Sequence, residues 1–190
     1  MKRLVLVGIL ALFCGCSKEP PGFMGKPTSF WINQLRERDP ELQQEAVKAL
    51  GIIGVEALPP LLTALKDDNS RVRVGAAESL GRIGAQAQAA VPALSDALQD
   101  PEKSVRRHAA LAIGVIEPQE SSVVTPLTNA LKDSDIEVRR YAAFALGKLG
   151  SHARDALPAL NAAFLKADDP QLRINIHDAI AKINEEPLGS

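Results

Sequence analysis

The sequence predicts an all-α superhelix, a solenoid of about ten antiparallel helices in four to five stacked repeats. Three observations predict it. The first is a fixed period: the apolar–arginine pairs Val72-Arg73, Val105-Arg106, Val138-Arg139 and Leu172-Arg173 step by 33, 33 and 34 residues. A period of this length marks a stacked repeat. The second is helical spacing inside each copy, with Val72, Ala76, Ala77, Leu80 and Ile83 on one face and Arg71, Glu78 and Arg82 off it. The third is a second apolar segment in each unit that opens on a proline, which the first turn of a helix tolerates.

From the N-terminus, Met1-Lys2-Arg3 is followed by ten apolar residues, 4–13, and then Cys14-Gly15-Cys16. A basic start, a short apolar run and a small-residue exit describe a secretory signal. The run is too short to span a bilayer, which takes ~20 apolar residues. Phe13-Cys14-Gly15-Cys16 resembles a bacterial lipoprotein signal. The resemblance implies a signal peptide over 1–15 and lipidation of Cys16 as the first residue of the mature chain. Phe13 and Cys14 depart from the family's usual residues at these positions. Cys14 is the alternative acceptor, although bulky Phe13 before it argues against cleavage there. An ordinary secreted protein with incidental cysteines is the other reading. Several acyl chains would hold the protein on a membrane permanently, on the periplasmic side. Ser17, in place of the Asp that often marks inner-membrane retention, leans towards the outer membrane. Residues 16–27 hold three prolines and two glycines and read as a lipidated cysteine and flexible tether, with Phe23 and Met24 either packed on the first helix or, the favoured reading, solvated.

The repeat domain is expected over 28–184, followed by a C-terminal tail, 185–190. Thr28 to Leu35 reads as an unpaired second helix, because Leu35 precedes Leu42 by seven residues as Leu65, Leu98 and Leu131 precede Val72, Val105 and Val138. The first full copy, around Leu42-Gln43, is degenerate. Second helices are expected at 59–66, 92–99, 126–132 and 158–166. The last first helix, 170–184, is again a half repeat. Paired alanines at 76-77, 109-110 and 142-143 let backbones approach. Gly81, Gly114 and Gly147 read as close-packing points, since glycine inside a helix otherwise costs about 1 kcal/mol against alanine. Gly54, Gly84 and Gly150 suit helix termination. The third unit carries Glu117-Pro118 where glycine is expected, which predicts a rebuilt turn.

These strings, D-x-x-x-x-V-R-x-x-A-A-x-x-L-G-x-I-G with a proline opening each second helix, resemble the HEAT repeat. They are closest to the short bacterial form first noted in phycobilin lyases. The resemblance implies that Asp and Arg form a ladder tying neighbouring repeats: Asp67 with Arg73, Asp100 with Arg106, Asp133 with Arg139, and Asp168 or Asp169 with Arg173. An arginine fork suits a carboxylate.

Composition narrows the function. Two cysteines, both near the N-terminus, cannot staple the repeats. The net charge is −1, and −3 without Lys2 and Arg3, which argues against nucleic acid as a partner. The three histidines, 108, 152 and 177, lie in different units, so neither a metal site nor a catalytic site is assigned and no cofactor is expected. His177, in the register of Ala110 and Ala143 but on a terminal helix, should face water. Arg107 and Arg140, with His108 and Tyr141, form either a small basic patch for an acidic partner or a solvated face. Second helices are expected to line a concave face with their polar positions: Thr63, Lys66, Ser95, Gln99, Thr128 and Lys132. That surface suits a protein or peptide segment. The reading is therefore a monomeric, membrane-anchored, non-catalytic interaction scaffold. A lyase- or chaperone-type enzyme and a nucleic-acid-binding protein are the alternatives.

Overall fold

A computed structural model describes residues 22–118 and 121–185. Cys16, the signal segment and the tail from 186 lie outside the described residues. Among these, the chain forms α1 (Thr28–Gln34), α2 (Pro40–Ile53), α3 (Leu58–Ala64), α4 (Ser70–Ile83), α5 (Val91–Ala97), α6 (Lys103–Ile116), α7 (Val124–Ala130), α8 (Ile136–Lys148), α9 (Leu157–Lys166) and α10 (Pro170–Asn184). Short 3-10 segments lead into α3, α5, α7 and α9. The even-numbered helices stack on one another in chain order, and each odd-numbered helix returns against its even-numbered partner. The solenoid predicted from the period is what forms, but α1 packs on α2 and α10 on α9, so neither end helix is the unpaired half expected: the helices that pack as pairs are an odd-numbered one and the even-numbered one after it.

The periodic side chains are the core. Val72, Val105 and Val138 are fully buried at one level, Leu80, Ile113 and Leu146 at the next, and Leu61, Leu94, Leu127 and Leu160 recur on the second helices. Each of these leucines contributes roughly 1.5–3 kcal/mol by leaving water. Both members of each alanine pair are also sealed. A side-chain carbon on Gly147 would sit 2.9 Å from the Ala179 backbone, and on Gly81 3.4 Å from Ala112. The glycine column is where one even-numbered helix crosses the next.

The helices begin where short polar side chains can cap them. Asp39, Asn69, Asp135 and Asp169 accept backbone N–H groups at the starts of α2, α4, α8 and α10, and Glu102 before α6 makes no such bond. Prolines enter at the second position of α3, α5 and α9 and the third of α7. Gly54 and Gly84 close α2 and α4 at φ/ψ 72°/−135° and 67°/−140°, a region essentially closed to side chains. Glu117 closes α6 at 51°/63°, in the left-handed well that other residues can enter. The turn predicted to be rebuilt does change its backbone at Glu117, and a 3-10 segment, Ser121–Val123, leads into α7.

The tether expectation needs one correction. Phe23 and Lys26 exchange backbone hydrogen bonds around Met24 and Gly25, both at positive φ. This tight turn lays Phe23 against Trp31, ring centroids 6.2 Å apart, and Lys26 over Phe30 at 4.0 Å. Phe23 is half-buried rather than solvated, because Trp31 would otherwise be left bare at the end of the stack; Met24 does face water.

Candidate functional site

The Asp–Arg ladder exists, but its pairing differs from the one implied by resemblance. Arg73 Nη1 donates to the backbone carbonyls of Asp67 (2.7 Å) and Asp68 (3.1 Å). Its Nε and Nη2 grip the carboxylate of Asp100 in the next repeat, at 2.7 and 2.9 Å. Arg106 repeats this arrangement, with Asp100 and Pro101 carbonyls on one side and the Asp133 carboxylate at 2.7 and 2.9 Å on the other. Each aspartate thus serves its own unit through its carbonyl and the preceding unit through its carboxylate. That carboxylate also takes the N–H two residues on: Asp67 from Asn69, Asp100 from Glu102, Asp133 from Asp135, each at 2.8 Å. Arg36, after α1, meets the Asp67 carboxylate through Nη2 alone. The expected fourth pair is absent. Arg173 is exposed, lies 5.0 Å over the Phe164 ring, and makes no ion pair among the described residues. Arg139 holds the carbonyls of Asp133 and Ser134 but meets no carboxylate among the described residues.

A second ladder runs beside the first, on residues read from sequence as a free patch. Arg107 forms a two-pronged pair with Asp135, and Arg140 with Asp169 at 3.1 and 2.7 Å. Arg140 also holds Glu137. Both aspartates are helix caps, so each accepts from its own helix and from the preceding repeat. Arg107's hydrogen bond, outweighing burial, holds the Asp135 carboxyl at about 2. Arg140's does the same for Asp169, which lies below the usual carboxylate range. Burial works to raise Asp133, and the Arg106 bonds and the Asp135 amide more than reverse it. The basic patch is neutralised, and its His108 bonds to the Ser104 carbonyl through Nδ1 at 2.7 Å. The signal for this second ladder was available in the sequence: 28 and 29 residues separate these arginines from the next caps.

On the second helices the predicted positions part company. Thr63, Lys66, Gln99 and Lys132 are exposed, and Thr128 is half-buried. Thr63 Oγ1 folds back on the Pro59 carbonyl at 3.3 Å. The Ser95 hydroxyl is buried and is not part of the surface. The structure brings together Gln99 and Lys132, in a cleft of about 340 Å³ that also holds Asp100, Asn129 and the Arg106–Asp133 pair. Thr63, Lys66, Ser95 and Thr128 do not join it. Among the described residues no group of three or more His, Cys, Asp or Glu is placed to hold a metal ion.

Two layers of helices on a 33-residue period, joined by arginine forks to the next turn's aspartate, define a helical repeat protein. The family model for HEAT repeats matches residues 28–114 and 124–187, and the chain belongs to that family. No curated protein is similar enough to count as a relative. Solved structures share the fold. A designed armadillo repeat protein in complex with the peptide (KR)4 is 21% identical, with 83% of this chain and 82% of that chain covered and a TM-score of 0.65. The complex of CpcE and CpcF of phycocyanin lyase from Nostoc sp. PCC7120 is 23% identical over 80% of this chain and 96% of that one, TM-score 0.71. Computationally designed armadillo repeat proteins for modular peptide recognition are 22% identical over 83% and 82%, TM-score 0.61.

Proposed function

We propose that this protein is a non-catalytic interaction scaffold that binds a segment of a protein partner along its second-helix face. It is exported, and acylated Cys16 holds it on a bacterial membrane. The observation that supports the binding face is the polar cleft where Gln99 and Lys132 meet between α5 and α7. The arginines of the opposite, first-helix side are already engaged by Asp135 and Asp169. Similarity to designed peptide-binding repeat proteins favours a peptide-like ligand. Repeat stacks of this kind use extended surfaces rather than closed pockets.

Reversing Lys66 and Lys132 to glutamate tests the face. Partner capture should fall while the melting temperature stays within a degree or two, because exposed charges contribute little to stability. Intact capture would place binding elsewhere. Cys16→Ser tests the anchor: the variant should leave the membrane fraction, and an unchanged membrane pellet with unchanged mass would refute lipidation at that residue. A lyase-type role is the second reading, favoured by the likeness to phycocyanin lyase. It predicts that a bilin binds and changes its absorbance on adding the protein, which a scaffold does not require.

A further inference from the structure

The third rung of the main ladder is open. Arg139 takes the pose of Arg73 and Arg106, with Nη1 on the carbonyls of Asp133 (2.6 Å) and Ser134 (3.2 Å). In the complete rungs Nε and Nη2 grip an aspartate two residues before the cap of the next first helix. Asn69 and Asp135 are preceded in this way by Asp67 and Asp133, and Glu102 by Asp100; before the cap Asp169 the residue is Ala167. Arg139 Nε and Nη2 have no partner among the described residues.

The change of sequence also changes the space. α9 runs ten residues where α3, α5 and α7 run seven, and the last period is 34. Arg139 lines a groove of about 490 Å³ between α8 and the α9–α10 turn, with Leu131, Ile136, Ala159, Ala163 and Leu172 as its apolar wall. Lys132 and Lys166 line it too. Of its two carboxylates, Asp169 is held by Arg140, which leaves Asp168 against three cations. The fork is already oriented by two carbonyls, so a ligand carboxylate would order little on arrival.

We propose that this groove binds an extended acidic segment of a partner protein, whose aspartate side chain takes the seat that Asp100 and Asp133 take in the two complete rungs. Aliphatic neighbours of that aspartate lie on the Leu131–Ile136–Leu172 wall. The proposal rests on the scaffold reading and names the chemistry of its partner. The internal rungs favour a side-chain carboxylate over a chain terminus, since both are closed by aspartate side chains. A basic segment would face Lys132, Arg139 and Lys166 together.

The test uses the full chain and arrays of amidated nonapeptides with aspartate fixed at the centre and Leu, Val or Ala elsewhere. Matched arrays carry asparagine, or a free C-terminus in place of the aspartate. The aspartate array should bind about tenfold or more tightly than the asparagine array, as charged hydrogen bonds require. Ala167→Asp supplies the missing carboxylate from within the chain. It should raise the melting temperature and abolish the aspartate preference; Arg139→Gln should abolish the preference without that rise. Equal binding to the aspartate and asparagine arrays overturns the proposal. So does a stabilised Ala167→Asp variant that still prefers aspartate, or a preference for the free C-terminus. If the arrays show no preference while Lys66/Lys132 reversal still releases a captured partner, only this inference falls and the scaffold reading stands.

Discussion

Asp135 shows how one residue can serve two repeats. It caps α8 through the amides of Glu137 and Val138 and closes the second ladder with Arg107. Its side chain is 9% exposed and that of Arg107 31%, so solvent screens the pair in part. With the folded carboxyl at about 2 against 3.8 for the free group, the folded state binds the proton less well than the unfolded chain. The stability is therefore complete above pH ~4 and lost as pH falls towards 2, about 2 kcal/mol in all. Thermal melts across that window should show the loss, and Asp135→Asn, which keeps the cap acceptor but not the charge, should reduce it, leaving the share carried by Asp133 and Asp169. Gly84 is a second single-residue test. A side-chain carbon there meets nothing within 4 Å, so only its backbone, at φ 67°, opposes one. Gly84→Ala should cost about 1–3 kcal/mol from backbone strain alone. A neutral result by chemical denaturation would contradict the turn geometry.

At the scale of elements, neighbouring first helices depend on small residues. Ala110 and Ala143 are sealed between helices, whereas His177, in the same register on α10, is 73% exposed. Ala110→Leu or Ala143→Leu should overpack and cost about 1–3 kcal/mol, and His177→Leu far less. Equal losses at all three would refute the register. The forks act between elements as well. Arg106 and Asp133 are 14% and 12% exposed, and reversing Arg106 to glutamate leaves Asp133 facing a like charge. Breaking such a pair should cost about 3 kcal/mol, measurable as a drop in denaturation midpoint with the helix content of the folded state unchanged.

Across the whole molecule, contacts pass mainly from one unit to the next, so stability is close to a sum of units and their interfaces. Trp31, the single tryptophan, is buried at the N-terminal end and reports that end alone. Gly147→Ala, which crowds Ala179 at 2.9 Å, strikes the far end. In that variant circular dichroism should lose a fraction of helix at lower denaturant than the Trp31 fluorescence transition. Coincident transitions would mean the stack unfolds as one cooperative block.

Fold and register could be read from the chain because each rests on near-neighbour chemistry; that α1 pairs with α2 and α10 with α9 could not. The spacing of Val72, Ala76 and Leu80 sets one helical face, and a period of 33 repeats it. The positive-φ glycines end α2 and α4 locally. The ladder residues were legible as a pattern of Asp and Arg six apart. Which carboxylate each arginine holds was not, since Arg73 reaches Asp100 only when the next unit is stacked alongside. Phe23 on Trp31, the buried Ser95 hydroxyl and the neutralisation of Arg107 and Arg140 belong to the same class. The open rung at Arg139 needed both: Ala167 is written in the sequence, but the seat it leaves unfilled exists only where α8 lies beside the α9–α10 turn. Sequence alone determines the repeating unit because its signals act within a few turns of helix. Tertiary structure decides the charge partners, because a guanidinium pairs with whatever carboxylate packing brings within 3 Å.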